Sequence, residues 1–189
     1  GFALFTYHSL AQKAARDDGN LIITNPHFFV KIAEHPLQYG LDHFDGLRSK
    51  LLQDNDVRAV LPRIHFSGLV SNGDKTSTFI GLGVEPDEFR VKGPFLDLLA
   101  GKVLNGKQGK DGLPEVVMAK GLARSMNVKP GDGITLLSTT TDGALNAIDF
   151  VVRGVYSTGV PALDNRQLYV NLDTAQSLLA TKKISALSV

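Results

Sequence analysis

The sequence predicts an α+β fold. Short runs rich in β-branched and aromatic residues recur along the chain, and only a few segments carry helical spacing. Strand, helix and strand follow one another at each end, and strands crowd the middle. At 189 residues, with 43% apolar and 21% charged side chains, the chain has the size and composition of a globular unit with a buried core. The order predicts an α/β part built from both chain ends, with a β-rich part inserted between them.

In the first half, Leu4, Phe5, Leu10, Ala14 and Ala15 set an imperfect helical stripe over residues 2–16, ended by Asp17-Asp18-Gly19. "NLIITN" (20–25) reads as a short strand stopped by Pro26. Leu41, Phe44, Leu47, Leu51 and Leu52 recur at three- and four-residue spacing, which predicts an amphipathic helix over 41–55. Residues 57–70 read as a strand, and Pro62 within it predicts an edge, a bend or a change of sheet. Asn72-Gly73 supplies the left-handed backbone of a tight hairpin, with 76–84 as the return strand and Glu85-Pro86-Asp87 as its stop.

Further on, "PFLDLLAGKVL" (94–104) reads as a short helix with Gly101 just past its end, and 105–115 as a loop. "VVMA" (116–119) is a strand that runs into a helix over 119–128. A strand follows over 133–138, a loop over 139–147 and a longer strand over 148–158. "GVPALDNR" reads as a loop and "QLYVNL" as a strand. "DTAQSLLATKK" reads as a helix with Asp173 at its N-cap, and "ISALSV" as a last strand.

Charge and residue usage exclude several classes of function. Twenty basic residues face nineteen acidic ones, so nothing electrostatic points to nucleic acid. There is no cysteine, which removes disulfides, thiolate metal sites and cysteine nucleophiles. No apolar run approaches the roughly 18–20 residues of a membrane span. The chain opens on "GFALFTYHSL" without a methionine, which reads as a piece of a longer protein.

The residues point to no catalytic group, cofactor or metal. His8, His27, His35, His43 and His65 lack the spacing of a metal site, and surface or capping roles suit them better. "YSTG" and "HFSGL" miss the nucleophile-elbow pattern. "GLGVEP" lacks the third glycine and the helix of a dinucleotide site, and "GKQGKDG" lacks the Lys-Ser/Thr of a phosphate loop. Asp17-Asp18, Asp54, Asp56, Asp142 and Asp164 sit in turn contexts, where aspartate serves the backbone. In "AKGLARSMNVKPGDGITLL" (119–137), Leu122, Met126 and Val128 are candidates to pack the helix and its exit. Pro130 and Gly131 suit a sharp reversal, and Asp132 suits closing it through backbone amides.

Together these strings resemble a known family. "EVVMAKGLARSMNVKPGDGITLLS" and "IDFVVRGVYSTGVPALDNRQLYVNLDTAQSLL" look like the extracytoplasmic (MacB-like periplasmic core) domain of FtsX-like ABC-transporter permeases of the macrolide-efflux and lipoprotein-release type. The matching residues are Leu122, Val128, Lys129, Gly131 and Asp132; Phe150, Val152, Gly154, Val155, Tyr156, Thr158 and Gly159; Asp164; Tyr169, Val170 and Leu172; and Ala175, Gln176, Leu178 and Leu179. "PRIHFSGLVS" and "IGLGVEPDEF" match more loosely, and the resemblance spans most of 20–189.

The resemblance implies a discontinuous Porter-like subdomain (1–65 and 158–189) and an inserted Sabre-like subdomain (66–157). It implies a non-catalytic periplasmic domain of an inner-membrane protein, with flanking transmembrane helices. Its implied partners are a second permease, a cytosolic ATPase, and a periplasmic adaptor or lipoprotein carrier. Its implied role is to transmit motion in export or extraction of lipoproteins, lipids or small amphiphiles. The loop Ser138, Thr139, Thr140, Thr141, Asp142, Gly143, Ala144, Leu145 and Asn146 is the implied partner-facing segment. In carrier-recruiting permeases this loop is longer and contains proline, so a permease of the partner, non-recruiting type, or of another export system, fits the resemblance equally. A free-standing periplasmic binding or scaffold module is the alternative reading.

Overall fold

Side-chain alternation along a few long strands determines how this chain packs. The computed structural model describes residues 21–26, 37, 40–92 and 96–189. The helix predicted over 2–16, and His8, His27 and His35, lie outside the described residues. The strands are β1 (Ile22–Thr24), β2 (Leu61–Ser71), β3 (Thr76–Val84), β4 (Asp97–Gly101), β5 (Glu115–Ala119), β6 (Gly133–Thr139), β7 (Leu145–Ser157), β8 (Gln167–Asn171) and β9 (Ala186–Ser188). The helices are α1 (Phe44–Leu51), α2 (Asp87–Val91), α3 (Lys120–Ser125), α4 (Pro161–Asp164) and α5 (Leu172–Leu179). The molecule is a mixed α/β fold in which strands dominate.

Six strands close on themselves. β2 pairs with β3, β3 with β8, β8 with β5, β5 with β7, β7 with β6, and β6 returns to β2. The β3–β8 and β5–β7 pairs are parallel and the other four antiparallel. Closure gives each of the six strands a neighbour on both sides over part of its length. The two longest strands change neighbours along one side. β2 pairs with β9 at Leu61–Arg63 and with β6 at Leu69–Ser71. β7 pairs with β6 over Leu145–Val151 and with β4 over Gly154–Ser157. Pro62 sits on the β9 side of β2, where the β3 ladder has not begun, so it removes no bond from that ladder. The boundary expected at 65/66 falls inside β2, and β8 runs between β3 and β5.

Alternation then separates two cores. Val116 and Met118 of β5, and Leu168 and Val170 of β8, point into the ring with Ile64, Phe66, Phe79, Ile134, Leu136, Phe150 and Val152. Val117 and Ala119, and Tyr169 between Leu168 and Val170, point outward to Leu82, Val84, Leu104 and Tyr156, with Phe89 of α2 against them. Both faces of these strands are therefore buried, which explains why "VVMA" and "LYV" are continuous apolar runs. Each such side chain contributes about 1.5–3 kcal/mol on burial.

Helices close the two ends. α5 follows β8 directly and packs its Leu172, Ala175, Leu178 and Leu179 into the ring core. The approach is close: a Cβ on Gly83 would lie 2.5 Å from the Ala175 Cβ, so only glycine fits there. α3 follows β5 at the opposite end and inserts Leu122, Ala123 and Met126.

Several expectations are corrected. The segment 97–101 is strand β4, not helix, because β7 offers it an open edge to pair with. Its Leu98 and Leu99 are exposed, so the apolar spacing there marks no buried helix face. The loop "GVPALDNR" contains one helical turn, α4, with proline at its start. The 139–147 loop shrinks, because β6 runs to Thr139 and β7 begins at Leu145. Asp173 is not the N-cap of α5. Asn171 holds that position, and the Asp173 carboxylate accepts a bond from the Thr174 amide. The helix predicted over 119–128 ends at Ser125, because Asn127 takes the left-handed conformation at φ 53°.

Candidate functional site

The family-motif residues assemble three structural locks around α3 and β7. The first is the corner after α3. Met126 and Asn127 carry the helix out, and the Val128 amide donates to the Ala123 carbonyl at 3.0 Å while the Asn127 amide donates to Arg124 at 3.0 Å. This reciprocal pair, around a left-handed Asn127, is a Schellman termination. Lys129-Pro130-Gly131-Asp132 then reverses the chain. The Asp132 amide donates to the Lys129 carbonyl at 3.0 Å, and Gly131 sits at φ 98° as a type II turn demands. The Asp132 carboxylate accepts the Lys129 amide at 2.9 Å, so the turn is closed from both sides. The corner is also stitched to β7: the Gly131 amide donates to the Val152 carbonyl, and the Val152 amide to Asp132, each at 2.8 Å. Leu122 is fully buried and Val128 partly so, as the sequence predicts.

The second lock ties β7 to α4. Asp164 is 4% exposed. Its carboxylate accepts the Thr158 amide at 2.7 Å, the Thr158 hydroxyl at 2.9 Å and the Ser157 hydroxyl at 3.2 Å. The Lys120 ammonium at the start of α3 lies 3.2 Å away. Burial alone would raise the Asp164 pKa. The bonds from Thr158, Lys120 and Ser157 outweigh it and hold the carboxyl below its usual range. Gly159 completes the bend at φ 75°.

In the third lock, the Tyr156 and Tyr169 rings meet edge to face at 5.6 Å, and Tyr169 meets Phe89 at 5.8 Å. The Tyr156 hydroxyl bonds Gln167 at 3.1 Å. Burial, with smaller contributions from Tyr169 and Asp164, pushes the Tyr156 phenol well above its usual range. Phe150 is in the ring core, and Gly154 lets β4 approach, since a Cβ there would lie 2.4 Å from the Lys102 carbonyl oxygen. Gln176 stands apart at the other end, donating to the Lys182 carbonyl at 3.0 Å.

The segment 138–146 divides by direction. Ser138 and Thr140 are buried, and the Ser138 hydroxyl donates to the Ser67 carbonyl at 2.7 Å. The Thr140 hydroxyl accepts the Ala144 amide at 3.0 Å and contacts Asp142, whose carboxyl it holds low. Thr139, Thr141, Asp142, Gly143, Ala144 and Leu145 face solvent, Leu145 at 72% exposure. Thr141 and Asn146 reach back to α5. The Thr141 amide donates to Leu179 at 3.1 Å and the Asn146 side-chain amide to Leu178 at 3.1 Å.

Reading the sequence missed the paired charges, buried at Arg63–Glu88 and half-buried at Arg48–Glu85. Arg63 grips Glu88 through its Nε at 2.9 Å and through Nη2, and the Lys92 ammonium lies 3.4 Å from the same oxygen. Arg153 holds Glu115 at 2.7 Å, and Arg48 holds Glu85 through two parallel bonds of 2.8 Å. An arginine inside an apolar strand, as in "LPRIHF", is the signal that a buried partner exists; its identity is not local. Among the described residues no group of three metal-binding side chains comes together, and no helix is long and apolar enough to cross a membrane.

These locks tie a turn, a helix end and a long strand together through backbone and carboxylate bonds. The MacB-like periplasmic core domain family matches residues 6–189. The lipoprotein-releasing system transmembrane protein LolE of Haemophilus influenzae is 27% identical over 118 residues, which is 62% of this chain. The chain spans 28% of that protein's length. The periplasmic region of MacB from Actinobacillus actinomycetemcomitans has the same fold, with a TM-score of 0.58 at 18% identity, over 88% of this chain and 71% of that one. The extracellular domain of the noncanonic ABC-type transporter YknZ from Gram-positive bacteria aligns over 88% of this chain and 79% of its own, with a TM-score of 0.60 at 15% identity. The chain therefore belongs to the MacB-like periplasmic core domain family, as a periplasmic domain of an inner-membrane protein.

Proposed function

We propose that this domain transmits motion. In the full-length permease it would couple ATP hydrolysis by a cytosolic ATPase to events in the periplasm, during export or extraction of lipoproteins, lipids or small amphiphiles. The observation that carries the reading is the convergence of the motif residues. Gly131, Asp132, Val152, Thr158 and Asp164, with Lys120 outside the motif, join one helix, one turn and one long strand through backbone and buried carboxylate bonds. Such a construction resists bending, and resistance to bending is what a transmitting element requires. A partner permease, and an adaptor or carrier on the periplasmic side, belong to the same proposal. So does the division into a Porter-like part (1–65 and 158–189) and a Sabre-like part (66–157) that share strand β2.

The test uses the intact permease in lipid vesicles, with spin labels at exposed Thr139 in both copies of a homodimer, or at Thr139 and the matching position of a partner permease. Trapping the ATP-bound state is expected to shift the label-to-label distance, and ADP to restore it. A distance unchanged through the ATPase cycle would sink the transmission reading and leave a static scaffold. Vesicles carrying a lipidated protein or a small amphiphile would show which cargo stimulates the ATPase.

A further inference from the structure

We infer that the β6–β7 hairpin is a clasp on the carboxy-terminal end of α5, so that the hairpin tip and the exit of the helix open and close together. The argument is an accounting of backbone groups. The last four carbonyls of a helix have no partner within it. In α5 these are Gln176, Ser177, Leu178 and Leu179. Gln176 accepts the Thr181 amide at 3.0 Å and Ser177 accepts the Ala180 amide at 3.3 Å, the two bonds of a Schellman termination. The Leu178 carbonyl takes the Asn146 side-chain amide at 3.1 Å, and the Leu179 carbonyl takes the Thr141 backbone amide at 3.1 Å. Longer contacts of 3.4 Å run from Asn146 to Ser177 and from the Thr141 hydroxyl to Ala180. The hairpin thus supplies the donors for the final two carbonyls.

The helix end needs that help. Its termination places Ala180 in the left-handed conformation, φ 51° and ψ 48°. For a residue with a Cβ this conformation is unfavourable, and glycine or asparagine usually occupies it. α5 therefore ends in a local strain that its own sequence does not relieve, with Asn146 and Thr141 holding it shut. The far side of the clasp is a solvent-facing tip, Thr141 to Leu145, with Leu145 the most exposed large apolar residue among those described. Beyond Ala180 the chain runs directly to the Leu41–Ile184 bridge and to β9, which pairs with β1 and β2. A displacement of the tip would unpair Leu178 and Leu179, let the last turn fray, and loosen the segment leading to β9. Tip and helix exit form one two-state element, and by linkage each must bias the other.

Native-state hydrogen exchange on the 189-residue chain tests this in both directions. Asn146→Ala is expected to speed exchange of the Ala180 and Thr181 amides roughly fivefold, the size expected for losing one half-buried hydrogen bond. The Asn127 and Val128 amides at the end of α3 should not change. Ala180→Gly relieves the strain and is expected to slow exchange of the Thr141 amide several-fold, and by more than the Gly131 amide, which follows the overall stability of the domain. Faster exchange at both helix ends alike after Asn146→Ala would overturn the clasp. So would a Thr141 amide that ignores Ala180→Gly, or that slows only in step with Gly131. If Asn146→Ala fails to fold, the Ala180→Gly arm decides alone, since that variant removes strain rather than a bond.

Discussion

The exits of α3 and α5 are built on one plan with different materials. Both helices end in a Schellman pair around a non-glycine residue in the left-handed region, Asn127 in α3 and Ala180 in α5. In both, an asparagine side chain from a β-hairpin donates to a late carbonyl: Asn72 to Met126 at 2.6 Å, and Asn146 to Leu178 at 3.1 Å. The difference lies in what each asparagine and each exit is tied to. The Asn72 oxygen also accepts the Asp74 and Lys75 amides at 3.0 and 2.7 Å, so its rotamer is fixed by its own turn. Among the described residues, the Asn146 oxygen accepts only the adjacent Ala147 amide. The α3 exit continues into a turn locked by Asp132 and β7, whereas the α5 exit continues through Thr181–Lys183 towards β9. One end of the ring is a fixed corner and the other a held one.

The largest effect tests whether the two ends share one core. Leu122 of α3 and Leu178 of α5 are both fully buried in the same cluster. Leu122→Ala and Leu178→Ala should each cost about 2–5 kcal/mol, as large-to-small changes in cores do. Each should leave a single cooperative unfolding transition by circular dichroism and by calorimetry. Two resolved transitions in either variant would mean that the ends belong to separately folding parts.

An intermediate effect separates the ends by pH. Asp164 belongs to the α3 end and has a lowered pKa, with burial opposing and the Thr158, Lys120 and Ser157 bonds prevailing. A carboxylate whose folded pKa is depressed adds stability above its unfolded value, near ~3.9, and loses it as pH falls through the folded value. Asp164→Asn should therefore cost about 1–3 kcal/mol at neutral pH. The gap between wild type and variant should narrow below about pH 4. Denaturation midpoints taken from pH 7 to pH 2 would show it, and a gap independent of pH would assign the role of Asp164 to shape rather than charge.

How much of this the sequence discloses follows from the range of each interaction. Lys129-Pro130-Gly131-Asp132 is legible because its chemistry is local. Proline and glycine fix the backbone angles, and the Asp132 carboxylate reaches only to Lys129. Asn72-Gly73 is legible for the same reason, and the continuous apolar run "VVMA" is legible as a strand, though not that both its faces are buried. The failures are non-local. Residues 97–101 look helical until β7 pairs with them, Asp97 with Ser157 and Gly101 with Gly154. Asn146 looks like a loop residue until the helix end at Leu178 is beside it. Arg63 and Glu88 are 25 positions apart and come together only once β2, β3 and α2 have folded. Ring closure by β6 depends on three residues of β2, Leu69–Ser71, which no pattern in the strand singles out.

The smallest effect sharpens the comparison most directly, because it changes one backbone preference and no contact. Ala180 is left-handed with its Cβ present, which costs roughly 1–2 kcal/mol. Glycine removes that cost but gives back part of it through the greater freedom of the unfolded chain. Ala180→Gly should thus stabilise the domain by about 0.5–1 kcal/mol. Asn127→Gly makes the same backbone change at the α3 exit, but asparagine already tolerates the left-handed region, so the change there should stay within about 0.5 kcal/mol of zero. Urea denaturation of the two variants beside wild type resolves the difference. Equal gains at both sites would mean that Asn127 is as strained as Ala180. A loss at Ala180 would mean that the unfolded chain, rather than the helix exit, sets the balance there.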